Sequence, residues 1–131
     1  MKISHIAIAV NDLEQAKGLF SRLLGTKADD TIEIPDQQVR VCFLQSEGTR
    51  IELIAPMAGN TSLQKFLESR GEGLHHLAIE VDDIKKALQE YRQAGIRLID
   101  ETPRIGATGA KIAFLHPSAC GGVLIELEEQ K

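Results

Sequence analysis

Two pairs of histidine and glutamate recur along this chain of 131 residues, and both residue types can bind metals and carry protons. His5 lies in an apolar run near the start, and Glu52 stands between two branched apolar residues. His76 and Glu126 have the same surroundings in the second half. A single glutamate of this kind is typical of the solvated face of a strand, but a matched pair in each half favours a functional site. Neutral imidazoles and ionised carboxylates are ligands for a divalent metal that keeps exchangeable water positions.

The two pairs belong to an internal repeat. Residues 74–84 repeat residues 3–13, and His76 follows His5 by 71 positions. Identical residues stand at these aligned positions: His5 and His76, Ala7 and Ala78, Ile8 and Ile79, Val10 and Val81, Asp12 and Asp83. Such self-similarity predicts two copies of one folding unit. Copies that face each other about a pseudo-twofold axis would bring both histidines and both glutamates together.

Each copy predicts a strand, a helix and three further strands, βαβββ. Helix capping signals stand at Asn11 or Asp12 and at Asp82 or Asp83, with Gly25 and Gly95 at the C-terminal ends. Alternating apolar residues and turn residues predict strands at 3–10, 39–44, 50–55, 75–81, 97–99, 112–116 and 123–127. The modules span about 1–57 and 74–131. A linker at about 58–73, with a helix at 61–70, joins them in one domain, 1–131.

Composition narrows the function classes. Hydrophobic residues make up 43% and charged residues 26% of the chain, which is typical of a globular core with a polar surface. The net charge is −4 and no basic tract occurs, so nucleic acid and anionic membranes are disfavoured as partners. Cys42 and Cys120 are far apart and have no metal-type spacing, so we expect no disulfide and a cytoplasmic location. No segment approaches the length of a membrane span or a signal peptide.

Five stretches of the chain resemble a known family. They are His5–Val10, Gly73–His76, Ile105–Gly109, Phe114–Pro117 and Gly121–Leu127. Together they resemble the vicinal oxygen chelate (glyoxalase-like) superfamily and, more narrowly, the methylmalonyl-CoA epimerases, over nearly the whole chain. The first run is generic to the superfamily, whereas the three C-terminal stretches are more specific. The resemblance implies an α+β fold in which two paired βαβββ modules form a curved mixed sheet around a metal site.

The same resemblance implies a ligand set and a reaction. It makes His5, His76 and Glu126 ligands of a divalent metal (Co²⁺, Zn²⁺, Mn²⁺ or Ni²⁺). Glu52 occupies a fourth position, which is Gln in some relatives, and could either ligate or act as a base. The implied reaction is epimerisation of methylmalonyl-CoA at C2 through an enolate, with Glu52 and Glu126 as the acid–base candidates. Residues 39–42 depart from relatives that carry an extra glutamate there.

Substrate contacts are expected from the segment 102–111. It is interpreted as a mobile loop over the site, with Arg104 or Lys111 facing the substrate carboxylate or the CoA phosphates; the alternative is a plain β-hairpin with solvated cations. Relatives often carry Lys where Arg104 stands. His116 could line the pocket or anchor a turn. His75 should point away from His76 because neighbouring strand residues face opposite sides.

Three other functions remain open from the sequence. A glyoxalase I-like enzyme acting on a glutathione thiohemiacetal would use the same ligands. An Fe(II) extradiol dioxygenase uses two histidines and one glutamate, but the fourth candidate ligand, Glu52, argues against it. A non-enzymatic member of the fold would bind a small molecule without metal. For the epimerase, an acyl-CoA partner, a homodimer and a place in propionate metabolism are expected.

Overall fold

The computed structural model describes residues 2–130. By its internal contacts the chain divides into two compact units. The first unit is residues 5–75, and the second unit is residues 76–130 with residues 2–4. Within the described residues there are three α-helices and eight β-strands. None of these helices combines the length and the apolar character needed to cross a membrane.

The first unit has the predicted βαβββ order, followed by one more helix. Its elements are β1 (Ile3–Ala9), α1 (Leu13–Leu24), β2 (Ile32–Ile34), β3 (Val39–Leu44), β4 (Arg50–Pro56) and α2 (Thr61–Arg70). Of strand β1, residues 5–9 belong to this unit. The strands lie in the order β2-β3-β4-β1. Strand β1 pairs with β4 in parallel, and the other two pairings are antiparallel.

The second unit repeats this arrangement. Its elements are β5 (Gly73–Val81, from His76 onward), α3 (Ile84–Gln93), β6 (Arg104–Ile105), β7 (Lys111–Leu115) and β8 (Ile125–Glu129). The strands lie in the order β5-β8-β7-β6, with β5 parallel to β8 and the other pairings antiparallel. The predicted α+β class and the two βαβββ modules are therefore confirmed.

Local signals in the sequence explain where the helices begin and end. The Asp12 carboxylate accepts a hydrogen bond from the Gln15 N–H at 3.1 Å, which caps α1. Asp83 caps α3 in the same way through the Lys86 N–H. Gly25 ends α1 with a φ of 65°, a left-handed conformation that glycine adopts without strain.

A hydrophobic core lies between the helix and one face of the sheet in each unit. In the first unit, Leu13 and Ala16 of α1 pack with Cys42, Leu44, Leu53 and Ala55. In the second unit, Ile84 and Leu88 of α3 pack with Ala113, Leu115 and Leu127. Because side chains alternate along a strand, the residues between these core positions point to the opposite face. We call the face opposite α1 or α3 the site face.

Two predicted strands need correction. The prediction at 97–99 was wrong: only Leu98 forms an isolated bridge, to Leu115, and β6 lies instead at Arg104–Ile105. The reason is that the Asp100 carboxylate accepts the Phe114 N–H at 2.8 Å, which stops a continuous backbone ladder there. The last strand begins at Ile125 rather than at residue 123, after a turn in which Gly121 and Gly122 have positive φ.

The segment between the modules contains the predicted helix. Helix α2 spans Thr61–Arg70, and its Leu63 and Leu67 are buried. Asn60 caps it by accepting the Leu63 N–H at 2.9 Å. This helix lies within the first unit. The assignment of residues 58–73 to a linker, and of the whole chain to one domain, stays a prediction.

The two cysteines differ in their surroundings, and this predicts different reactivity. Cys42 is fully buried, and burial raises the pKa of its thiol. Cys120 is partly exposed. Because the thiolate is the reactive form, we expect iodoacetamide at neutral pH to alkylate Cys120 well before Cys42. Peptide mass mapping with time measures this, with the protein in urea as the control. Equal labelling rates in the native protein would contradict the buried position of Cys42.

Candidate functional site

The first unit holds one buried histidine–glutamate pair on its site face. His5 comes from β1 and Glu52 from β4, where Glu52 is aligned with Ala7, two residues after the histidine. The exposed fractions are 2% for His5 and 6% for Glu52. The His5 Nε2 lies 3.8 Å from the Glu52 Oε1. The parallel pairing of β1 and β4 therefore brings together two side chains that are far apart in the sequence.

The second unit reproduces this pair in the same register. His76 comes from β5 and Glu126 from β8, where Glu126 is aligned with Ala78, again two residues after the histidine. The His76 Nε2 lies 3.3 Å from the Glu126 Oε2, and both residues are buried. The repeat in the sequence therefore gives each unit one histidine–glutamate pair in the same strand register.

Burial decides what such a pair can do. An ionised carboxylate that is removed from water is costly unless a positive charge or hydrogen bonds compensate it. A divalent cation on the imidazole nitrogen and carboxylate oxygen would supply that compensation, and both are ligands that such ions take in proteins. The donor set in each unit therefore fits a divalent metal ion.

His5 and His76 each meet a phenylalanine that was not predicted from the sequence. In the first unit, Phe43 of β3 lies directly opposite Glu52, and its ring meets the His5 ring edge-on with centroids 5.7 Å apart. In the second unit, Phe114 of β7 lies opposite Glu126 and meets His76 at 5.3 Å. Phe43 and Phe114 differ by the same 71 positions as the two histidines, so the repeat carried this signal. Edge-on packing of this kind restrains the orientation of the imidazoles.

The predicted substrate-contacting cations lie on different faces of the second unit's sheet. Arg104 is aligned with Ile112, on the site face, and its guanidinium lies 5.7 Å from the Phe114 ring centroid. Lys111 lies on the α3 side, where its ammonium is 3.9 Å from the Glu129 carboxylate. Lys111 lines a cavity of about 450 Å³ together with Arg104 and with Arg92, which is paired with Glu101 at 2.5 Å. Substrate contact by Arg104 or Lys111 stays a prediction.

The segment 102–111 forms a β-hairpin in the structure, which was the second of its two interpretations. Strand β6 pairs with β7, and the Gly106 N–H donates to the Ala110 carbonyl at 2.8 Å to close the turn. A side chain at Gly106 would meet the Ile112 Cγ2 at 2.9 Å, so this turn packs closely against β7. Whether the hairpin moves over a substrate stays a prediction.

The other two histidines have local partners. The Nδ1 atom of His116 accepts the Ser118 N–H at 3.0 Å and caps a short turn, as the turn-anchor interpretation predicts. A pocket role for His116 stays a prediction. The ring of His75 meets Phe66 of α2 edge-on, with centroids 4.8 Å apart. On β3, the site face carries Val39 and Val41, aligned with Pro56 and Ile54, so the site-face positions of residues 39–42 are apolar.

Comparisons with known proteins agree with this geometry. Residues 4–114 match the model of the Glyoxalase/Bleomycin resistance protein/Dioxygenase superfamily. The chain is 38% identical to the mitochondrial methylmalonyl-CoA epimerase of Bos taurus, over 98% of this chain and 74% of the relative. The structure of methylmalonyl-CoA epimerase from Mycobacterium tuberculosis is 36% identical and superposes with a TM-score of 0.92, over 99% of this chain and 88% of that one.

A further solved relative carries a ligand. It is a Streptomyces coelicolor methylmalonyl-CoA epimerase variant in complex with 2-nitronate-propionyl-CoA. It is 32% identical, with a TM-score of 0.91, and the match covers 99% of this chain and 94% of that one. These matches extend over nearly the full length, and they include the strands that bear both histidine–glutamate pairs. The chain therefore belongs to the methylmalonyl-CoA epimerase family within the glyoxalase and bleomycin resistance protein superfamily.

Proposed function

We propose that this protein is a methylmalonyl-CoA epimerase that inverts the configuration at C2 of its substrate. The observation that carries the proposal is the buried histidine–glutamate pair, which recurs in the same register in both units of a chain that belongs to this family. The two carboxylates of the pairs, Glu52 and Glu126, are the acid–base candidates.

The proposed metal ligands are His5, Glu52, His76 and Glu126, one histidine and one glutamate from each unit. Support comes from the chemistry of the donors, from their burial and from the family match. A bound divalent cation would supply positive charge beside the thioester oxygen, where negative charge develops when C2 loses its proton. The donor atoms fit Co²⁺, Zn²⁺, Mn²⁺ or Ni²⁺, and we propose one of these four.

The protein's own residues would perform the proton transfers. Inversion requires that a proton leaves one face of C2 and that another arrives on the opposite face. In the proposal one of Glu52 and Glu126, ionised, takes the proton from C2, and the other, protonated beforehand, delivers its own proton to the opposite face; the reverse reaction exchanges these roles. Burial of both carboxylates strengthens their electrostatic interactions relative to water. The Phe43 and Phe114 rings hold the imidazoles beside these carboxylates.

Hydrogen exchange at C2 tests the proposal directly. We expect metal-loaded protein in D₂O to incorporate deuterium at C2 of methylmalonyl-CoA, followed by NMR, and the same protein with chelator to be far slower. Exchange that requires the metal supports both the substrate and the proton-transfer chemistry. If protein with confirmed metal content gives no exchange, the epimerase proposal is wrong. The glutathione thiohemiacetal of methylglyoxal would then be the next substrate to test.

The proposal also includes the residues that contact the substrate, the oligomeric state, the cellular location and the metabolic role. Arg104, Lys111 and His116 are proposed to contact the acyl-CoA, with Arg104 the best placed because it lies on the site face. A homodimer, a cytoplasmic location and a role in propionate metabolism are part of the same proposal. Size-exclusion chromatography with light scattering tests the dimer.

A further inference from the structure

An arginine covers the phenylalanine that packs against His5. The guanidinium carbon of Arg50 lies 4.5 Å from the centroid of the Phe43 ring. The Phe43 ring in turn meets the His5 ring at an interplanar angle of 79°. All three side chains lie in the first unit, so the arginine belongs to the immediate surroundings of the His5–Glu52 pair.

The register of the strands places Arg50 on the site face. It is aligned with His5 across the β1–β4 pairing, and it precedes Glu52 by two residues on the same strand. Side chains two apart on a strand point to the same face. Arg50 is partly buried, whereas Arg40 on the neighbouring strand β3 is exposed and aligned with Ala55, on the α1 side.

A guanidinium stacked on a ring can still recognise an anion. The cation–π contact uses the flat face of the group. The five N–H donors lie in the plane and point outward, in a fork that matches a carboxylate. The ring also restrains the side chain, so less conformational freedom is lost when an anion binds. Arg104 is less restrained, because it lies on a two-residue strand and 48% of its side chain is exposed.

From this placement we infer that Arg50 binds the free carboxylate of the acyl group and selects malonyl-type thioesters over simple acyl thioesters. The inference rests on the proposed function, in which C2 reacts beside Glu52. The substrate carboxylate is attached to C2 itself, so it must lie near that buried glutamate. Two carboxylates at close range repel each other, and a guanidinium between them removes the repulsion. The phosphates of CoA lie at the far end of a long arm and need no cation at this position.

Binding measurements separate carboxylate recognition from other roles of Arg50. We would measure Kd values of methylmalonyl-CoA and of propionyl-CoA, which lacks the carboxylate, for metal-loaded wild type, Arg50→Met, Arg50→Lys and Arg40→Met. For Arg50→Met we expect a loss of about 10- to 100-fold for methylmalonyl-CoA, with little change for propionyl-CoA. Arg50→Lys should recover part of the loss, and Arg40→Met should behave as wild type.

Two outcomes would overturn the inference, and they are distinguishable from failure of the proposed function. If Arg50→Met weakens both thioesters equally, the arginine supports the fold or the common CoA part. If wild type binds both thioesters equally, no carboxylate recognition exists for Arg50 to provide. In either case wild type can still exchange C2 hydrogen in D₂O, and then the epimerase proposal stands. Thermal unfolding of each variant checks that the fold is retained.

Discussion

A His76→Ala variant is expected to lose its metal and about 100- to 1,000-fold of the rate of C2 exchange. The imidazole is a proposed ligand, and its Nε2 lies 3.3 Å from the Glu126 carboxylate. Removing the cation removes the charge that stabilises the developing enolate, and loss of one such stabilising group typically costs 10²–10³-fold or more. Metal content by elemental analysis and deuterium incorporation by NMR, on the same preparation, measure both effects.

The neighbouring residue provides a matched control. His75 lies next to His76 on β5, but its ring packs on Phe66. His75→Ala removes the same chemical group, so we expect it to lower the melting temperature slightly and to leave metal content and exchange within a few-fold of wild type. If His76→Ala keeps its metal and near-normal exchange, the assignment of the site is wrong. Thermal unfolding of both variants without metal distinguishes loss of the ligand from loss of the fold.

A Glu52→Gln variant should lose inversion at C2 but should still exchange the C2 proton of one of the two epimers. The amide oxygen can still bind a metal, so we expect the metal content to be retained. It cannot take up a proton as a carboxylate does, and loss of a general base or acid typically costs about 10²–10⁴-fold. Glu126 would remain, so the epimer whose C2 proton faces it should still exchange in D₂O with retention of configuration. Incubating each pure epimer in D₂O and analysing deuterium and configuration separately measures this.

A buried carboxylate on β8 serves as the control for this substitution. Glu128 is 9% exposed and accepts the Ser4 hydroxyl at 2.6 Å. The amide of Glu128→Gln can still accept that hydrogen bond, so we expect inversion within a few-fold of wild type. If Glu52→Gln inverts the substrate within tenfold of wild type, Glu52 is not an acid–base group and serves at most as a ligand. If both epimers lose exchange equally, one carboxylate carries both proton transfers.

The repeat made most of the fold predictable. Matching residues at a constant offset imposed the same strand and helix on both halves, and the caps at Asp12 and Asp83 set where the helices begin. No strand was predicted at β2, and one was predicted at 97–99 rather than at β6, so the main errors concern short edge strands. Strand β2 has three residues, of which Ile32 and Glu33 are exposed, and β6 has two exposed residues. Such strands are positioned by pairing with a neighbour rather than by their own apolar pattern, so their sequence carries little signal.

The candidate site was predictable in its residue types and not in its surroundings. A histidine and a glutamate in matching places in each half were visible as a pattern. Phe43 and Phe114 also match at the same offset. Because apolar residues are common on strands, two matching phenylalanines do not by themselves indicate a role in a site. The stacking of Arg50 on Phe43 had no signal at all, because it depends on the pairing of β3 with β4.

By itself, the sequence determined the duplicated βαβββ modules and the donor types of the candidate site, because periodicity and repetition are properties of the order of residues. Only the tertiary structure decided which side chains meet. The parallel pairing of the first and last strand of each module placed Glu52 beside His5 and Glu126 beside His76. Strand register also placed Arg50 and Arg104 on the site face and Lys111 on the other. A shift of one residue in register would reverse the face of every side chain on a strand, and the contacts that prevent this shift are formed between distant segments.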